Sequence, residues 1–376
     1  MQVSSREKTM MEPFNKHPEI IVRDQQPFNA EPPLKLLRQN FITPRALFYV
    51  RNHGSVPEVD PARYRLTVSG LVERPLELSL EDIQNKFPKK SLLATLQCAG
   101  NRRDELMEVS PIPGEHPWNA GALGNGKWSG VPLRDILQAA GTKEEVRHVA
   151  FAGLDEVEEE GQKFNFGGSI PVEKAMYPEV LLAYAMNDEP LGTEHGFPLR
   201  AVVGGYTGAR SVKWLSNITL QDAPSTNHFQ AKSYKLFPPY VREEPADSAE
   251  GLALGETSVN SVICRPQEGE TPRAGSVRVQ GYAIAGGERG IERVDLSTDE
   301  GQTWVGTDVL EDGKDHPWAW RFWEARLELG PGPQQIFARA LDSASDTQPE
   351  RARSIWNFKG YVNNSWYRVN VRVSAS

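Results

Sequence analysis

Thr95-Leu96-Gln97-Cys98-Ala99-Gly100-Asn101-Arg102-Arg103 reads as a strand running into a turn. The β-formers Leu92 to Leu96 deliver a single cysteine to the strand's end. Gly100-Asn101 forces the turn, and two arginines follow at once. A thiolate at Cys98 is a soft ligand, suited to a soft or high-valent metal centre. Guanidinium groups beside it would lower its pKa and supply fixed positive charge for an anion. Taken alone, the stretch has a plainer reading, because free cysteine is usually core.

Working upstream, Leu47-Phe48-Tyr49-Val50 is a run of strand-formers that ends in Arg51-Asn52-His53-Gly54. Residues 1 to about 30 read as an extended arm, with Pro13, Pro18, Pro27, Pro32 and Pro33 breaking any helix. Tyr64 to Gly70 alternates like a half-buried strand, and Ser79-Leu80-Glu81-Asp82 is a helix start with a capping acid.

Working downstream, Val109 to Gly126 reads as a loop rich in Pro and Gly, with Trp118 and Trp128 as core and His116 exposed. Its glycines would let backbone lie close to a bound group. Val131 to Ala140 is a short amphipathic helix, with Pro132 in its first turn and Gly141 at its end. The acidic run Asp155 to Glu160 reads as mostly solvated loop, and Asp155 follows the strand Val149–Phe151. Leu181 to Asn187 is an apolar strand or helix, and a turn then presents His195 and Arg200. In Val203-Gly204-Gly205-Tyr206-Thr207-Gly208-Ala209-Arg210-Ser211-Val212-Lys213-Trp214, three glycines precede Arg, Ser and Lys. That composition suits a phosphate held by backbone N–H groups and cations.

Ala246 to Glu256 is small, acidic and Gly-containing, and marks a domain boundary. Beyond it the pattern is all-β. Ser276–Tyr282 and Arg293–Ser297 alternate, Asp299-Glu300-Gly301 signals a hairpin turn, and Trp318–Phe322 puts rings on one face of a strand. Short strands at this spacing imply an immunoglobulin-like sandwich. There is no internal repeat.

The 376 residues leave room for two or three domains. With 39% hydrophobic and 24% charged residues the chain has a globular composition, and no apolar run is long enough to span a bilayer. Met1 to Asn15 lacks the apolar core of a secretory signal, and Val373-Ser374-Ala375-Ser376 is no peroxisomal address. The expectation is a cytoplasmic protein with no membrane partner. A net charge of −8 argues against nucleic acid as a partner, but one cleft can still be made cationic for an anionic substrate. The only cysteines, Cys98 and Cys264, are too few for a zinc or iron–sulfur site, and a disulfide between them does not suit a reducing compartment. Neither a Cys-x-x-Cys-His haem site nor a Gly-x-Gly-x-x-Gly following a strand is present, so no haem and no flavin are expected.

Leu-Gln-Cys-Ala-Gly-Asn-Arg-Arg resembles the signature of the sulfite oxidase family of molybdenum enzymes, and the likeness runs from about Pro27 to Val373, nearest the haem-free plant-type members. The resemblance implies an α+β fold: an extended arm (1–30), a mixed α/β molybdenum-cofactor domain (31–250) and an immunoglobulin-like dimerisation domain (251–376). It implies a molybdenum–molybdopterin cofactor whose metal is bound by Cys98. Phe48, Tyr49, Val50, Arg51, Asn52, His53, Asp155, His195, Arg200, Ser211, Val212 and Lys213 would hold the pterin and its phosphate. Arg51, Cys98, Arg103, Tyr234 and Lys359 would form the catalytic pocket, with Tyr234 as hydrogen-bond donor.

The implied reaction is two-electron oxidation of sulfite to sulfate by oxygen-atom transfer, in a homodimer, with electrons leaving to oxygen or a separate carrier. At Lys359, in Trp356-Asn357-Phe358-Lys359-Gly360, the sulfite-oxidising pattern generally has arginine and nitrate-reducing relatives an uncharged residue. Lysine keeps the charge but loses the two-pronged donor geometry. A nitrate reductase-like oxotransferase shares the cysteine motif, although Arg51 and Tyr234 lean towards sulfite. A non-catalytic, partner-binding member would be expected to lack Cys98 or the arginines, and all are present.

Overall fold

The cysteine strand Lys90–Gln97 pairs along its whole length with Leu123–Pro132, which passes the ladder on to Leu181–Met186 and Glu189–Pro190. Arg200–Val202 also pairs with Leu181–Met186, giving a five-stranded sheet. A second five-stranded sheet runs in the order Leu76–Leu78, Leu66–Gly70, Leu215–Gln221, His148–Glu159, Gln162–Pro171. Leu215–Gln221 lies parallel to Leu66–Gly70, so a long excursion must connect them. That excursion contains every segment from the cysteine motif to Trp214. The structure, a computed structural model, describes residues 13–159, 161–243 and 251–375.

Leu66, Val68, Val131, Phe151, Leu182, Leu215 and Ile218 belong to one large core shared by both sheets. Each such side chain stabilises by about 1.5–3 kcal/mol when buried. Helix Leu133–Ala140 faces that core with Leu133, Ile136, Leu137 and Ala140, an i, i+3, i+4, i+7 stripe. It starts after Pro132 and stops at Gly141, whose φ of 74° few other residues adopt. Helix Leu80–Lys86 opens with the expected capping box between Ser79 and Asp82.

Several expectations need correction. Residues 1–12 of the expected arm lie outside the described residues, but Phe14, Ile20, Val22 and Phe28 pack with Ala30 and Val50 in a small cluster. Ile21–Gln25 and Phe28–Glu31 form a hairpin whose Ala30 bridges to Val50. The prolines exclude a long helix there, leaving only the short 3-10 turn Pro13–Asn15 among the described residues, without excluding a fold. Most of the acidic run at Asp155 is strand, because His148–Glu159 pairs with Gln162–Pro171 across a bulge between Ala152 and Glu156. Alternating burial along that strand shows why: every second residue is inside, whatever the charge outside. Leu181–Met186 is a strand. Gly121 and Gly124 let backbone approach the Pro32 carbonyl and the Phe48 ring, not a bound group directly.

The second unit is a sandwich of two four-stranded antiparallel sheets. One runs Asn260–Arg265, Gly275–Ile284, Arg321–Leu329, Asp308–Val309; the other Val305–Gly306, Ile291–Ser297, Gly332–Asp342, Tyr367–Val373. Val279, Val294, Trp323, Ile336, Ala338 and Val369 fill the space between them. Trp318 and Trp320 precede the strand expected to carry them and splice the two units. The Thr95 amide donates to the Trp318 carbonyl at 2.8 Å, and Thr95 Oγ1 accepts from the Trp320 amide at 2.9 Å. Both cysteines are free thiols, and Cys264 packs in this junction with Leu37, Leu123 and Tyr282.

After the sandwich strand Gly332–Asp342 the chain returns to the first unit. Trp356 buries against Leu106 and Ile112. The Val362 amide donates to the Ala99 carbonyl at 2.7 Å, one residue from the cysteine.

Candidate active site

Cys98 leaves its strand with its amide bonded to the Ala122 carbonyl at 2.9 Å, while the Gly100 amide reaches Sγ at 3.4 Å. Burial pushes the thiol up; Arg51, Arg103 and the Gly100 amide pull the other way without prevailing. A thiolate here therefore needs a cation bound to it.

The two arginines that follow have separate tasks. Arg102 adopts the left-handed φ of 65° that turns the chain. Its fully buried guanidinium grips Glu105 at 2.7 Å, Asn260 Oδ1 at 2.6 Å and the Ser365 carbonyl at 2.8 Å, tying the two units together. Arg103 donates to the carbonyls of Lys359 (3.0 Å), Gly360 (3.2 Å) and His116 (3.0 Å), and pairs with Glu115 at 3.2 Å.

Cys98 lines a pocket that is partly open to solvent. The expected residues Phe48 to His53 all line it, as do Asp155, His195, Arg200, Ser211, Lys213 and Tyr234. Thus segments separated by up to half the chain converge on one thiol. Three expected residues do not line it. Val212 is buried in the main core. Arg103 stands behind the wall, and Lys359 contributes its carbonyl to Arg103 while its side chain is absent from the lining.

One side of the cavity is cationic. Arg200 is held by the carbonyls of His195 (3.0 Å) and Ser211 (2.9 Å), and burial lowers it to about 10. Lys213 donates to Asn52 Oδ1 and, at 2.9 Å, to the Glu194 carbonyl. Burial, with Arg200 nearby, holds its ammonium well below the usual value, against the opposing pull of Asp155. His195 Nε2 lies 3.0 Å from Lys16 Nζ. Nε2 also lies 3.4 Å from Glu194 Oε1, and burial, with Lys16 nearby, keeps this imidazole neutral. Asp155 has a buried Oδ1 with no hydrogen-bond partner, and burial raises its carboxyl to about 6.

Lys16, Glu194 and Phe166 were missed. A lysine in a proline-flanked segment carries no signal by itself, yet Lys16 is buried 3.4 Å from Glu194 and supports the cationic wall. Glu194 adjoins His195 and was within reach of the motif. Glu115 was also passed over, and His116, expected to be exposed, is half-buried with its carbonyl holding Arg103.

Residues 53–229 match the oxidoreductase molybdopterin binding domain, and residues 252–374 the Mo-co oxidoreductase dimerisation domain. The chain is 40% identical over 380 residues to a sulfite oxidase of Arabidopsis thaliana, covering 96% of each chain. The chain belongs to the sulfite oxidase family. Mitochondrial sulfite oxidase of Homo sapiens is 43% identical over 368 residues, covering 96% of this chain and 67% of that one. Nitrate reductase [NADH] 1 of Phaseolus vulgaris, at 38% identity over 377 residues, matches through 42% of its own length. Among solved structures, the sulfane dehydrogenase SoxCD from Paracoccus pantotrophus superposes with a TM-score of 0.78 at 25% identity, over 100% of this chain and 95% of that one.

For a member of the sulfite oxidase family, the donor set in the cavity fits a molybdopterin. It offers one thiol, a cluster of cationic donors suited to a phosphate, and an unpartnered carboxylate oxygen suited to ring N–H groups.

Proposed function

We propose that this oxidoreductase converts sulfite to sulfate at a molybdenum–pterin centre anchored by Cys98, and works as a homodimer through its C-terminal domain. The observation that carries the reading is one pocket lined by Cys98, by Arg200, Lys213 and His195, and by Arg51 and Tyr234. When bound, the cofactor supplies the two-electron redox chemistry and the oxygen transfer.

The chain's own residues bind and orient. Cys98 supplies a thiolate to the metal. Arg200, Lys213, Ser211 and His195 hold the phosphate end, and Asp155 accepts from the heterocycle. Arg51 and Tyr234 face the oxyanion and donate hydrogen bonds in a site largely removed from water, where such donors are worth more than in solution. No general base of tuned pKa is required. Arg103 lends its charge from behind the wall, and Cys98 and Tyr234 both feel it.

Metal analysis with steady-state assays tests this reading. Purified protein should carry about one molybdenum per chain and oxidise sulfite with oxygen or an added one-electron acceptor, with little reduction of nitrate. Preferential nitrate turnover would overturn the substrate assignment.

A further inference from the structure

Arg51 Nη2 lies 3.1 Å from His53 Nδ1, and His53 Nε2 lies 2.7 Å from the Tyr234 hydroxyl. A guanidinium has no acceptor and does not deprotonate, so Nδ1 must accept. The one proton of a neutral imidazole is then on Nε2, and Nε2–H donates to Tyr234 Oη. A hydroxyl that accepts along one direction is free to donate along another. The other tautomer would leave Arg51 N–H facing Nδ1–H and would turn the hydroxyl's proton away from the cavity. Tyr234 would then present a lone pair to an anion.

The ring has little freedom to choose otherwise. His53 is stacked on Phe166 at 5.1 Å and packed against Phe229 at 4.3 Å. Phe229 opens the π-helical turn Phe229–Ser233, which delivers Tyr234, and Tyr234 is itself stacked on Tyr361 at 5.2 Å. Burial, with the charges of Arg51 and Lys213, keeps the imidazole neutral. Both ring nitrogens are engaged within the protein, so neither is open to a cofactor.

We infer that His53 is a positioning residue: locked by Arg51 in its Nε2–H form, it donates to Tyr234 and directs the tyrosine's own proton into the oxyanion cavity. This inference rests on the oxyanion reading of the site but assigns His53 a role apart from cofactor binding. Arg51 consequently acts twice, as a cation on the cavity and as the group that sets the sign of Tyr234's hydrogen bond.

A double-mutant cycle on the cofactor-loaded enzyme is the test. His53→Phe should lower kcat/KM for sulfite about tenfold, as expected for one directed hydrogen bond. His53→Gln, which keeps an N–H donor, should recover most of that loss. In a Tyr234→Phe background, His53→Phe should change kcat/KM by less than about twofold, since no hydroxyl remains to direct. An equal loss in both backgrounds overturns the inference, because His53 would then act without Tyr234.

Nitrogen-15 NMR of histidine-labelled wild-type enzyme gives a readout that needs no turnover. The His53 signal, identified by its absence from His53→Gln, should show the proton on Nε2 between about pH 6 and 8, the range where an ordinary histidine titrates. A proton on Nδ1 overturns the inference even if the Phe variant fails to hold cofactor. Wild-type protein without sulfite turnover would sink the substrate reading and leave the tautomer to be judged by the spectrum.

Discussion

Asp155 shows how burial converts an ordinary side chain into a site group. Its carboxyl is raised to about 6 because water is excluded, even though Lys213 pulls it down. A folded-state pKa above the unfolded value means the cavity takes up a proton as pH falls through about 6. The carboxylate that would accept pterin N–H groups is thus complete only above that value. Cofactor release, followed by pterin fluorescence in the supernatant, should accelerate as pH drops below about 6, and Asp155→Asn should flatten the step. Glu115 poses a second question at this scale, since it occupies the Arg103 guanidinium from the side of the half-exposed loop. A partly exposed pair is worth about 1 kcal/mol or less. Glu115→Gln should therefore lower KM for sulfite by up to about fivefold with kcat unchanged. A raised KM would show that Glu115 orients Arg103 instead of competing for it. Residues grouped in contiguous motifs reach the cavity together where the whole segment borders it, as Phe48 to His53 do, but Val212 between Ser211 and Lys213 turns into the core. Lys16 was not legible in the sequence, because its partners Glu194 and His195 lie 178 and 179 residues further on and only the fold joins them.

At the scale of elements, turns matter more than strands. Asn357–Gly360 carries two backbone carbonyls to Arg103, and Gly360 has a φ of 62° with no room for a side chain: a Cβ there would lie 2.5 Å from Arg103 Cγ. Gly360→Ala should displace Arg103 and raise KM for sulfite about tenfold or more, through both the backbone strain and the clash. Lys359→Met should change KM by less than about twofold, because it leaves the carbonyls in place and the side chain is not on the cavity lining. The reverse order of effects would restore Lys359 to the oxyanion pocket. Sequence periodicity identified the amphipathic helix Leu133–Ala140 and the alternating strands, since a half-buried element writes its period into the chain. It failed at Asp155 to Glu159 and at Trp318–Trp320. In the first, exposed acidic residues on one strand face look like a loop; in the second, aromatic residues fill a junction, which has no period.

At the scale of the whole molecule, the two units do not behave as beads on a linker. Arg102, the Ala99 carbonyl and Thr95, all within the cysteine motif, bond to the C-terminal half. Leu37, Ala120 and Leu123 of the first unit share a cluster with Val262, Cys264, Tyr282, Trp320 and Phe322 of the second. A chain cut after about residue 250 would expose that apolar cluster and strip Arg102 of Asn260 and the Ser365 carbonyl, leaving it Glu105 alone. It should be largely insoluble, and any soluble fraction should lack cofactor by metal analysis. A soluble, fully loaded fragment would show that the junction is not needed for the site. The two-unit organisation was visible from the change to all-β patterning. The return of residues 356–366 to the cysteine was expected only near Lys359, because long-range docking leaves no local pattern.

The central claim is that Cys98 binds the metal in this cavity. X-ray absorption at the molybdenum edge, comparing wild type with Cys98→Ser at equal metal loading, tests it most directly. Replacing a thiolate by an oxygen ligand changes the coordination shell while the cationic wall proposed to hold the pterin is untouched. The expected result is one fewer sulfur neighbour in the variant, with molybdenum retained and sulfite turnover lost. An unchanged sulfur count, or near-normal turnover, would contradict it.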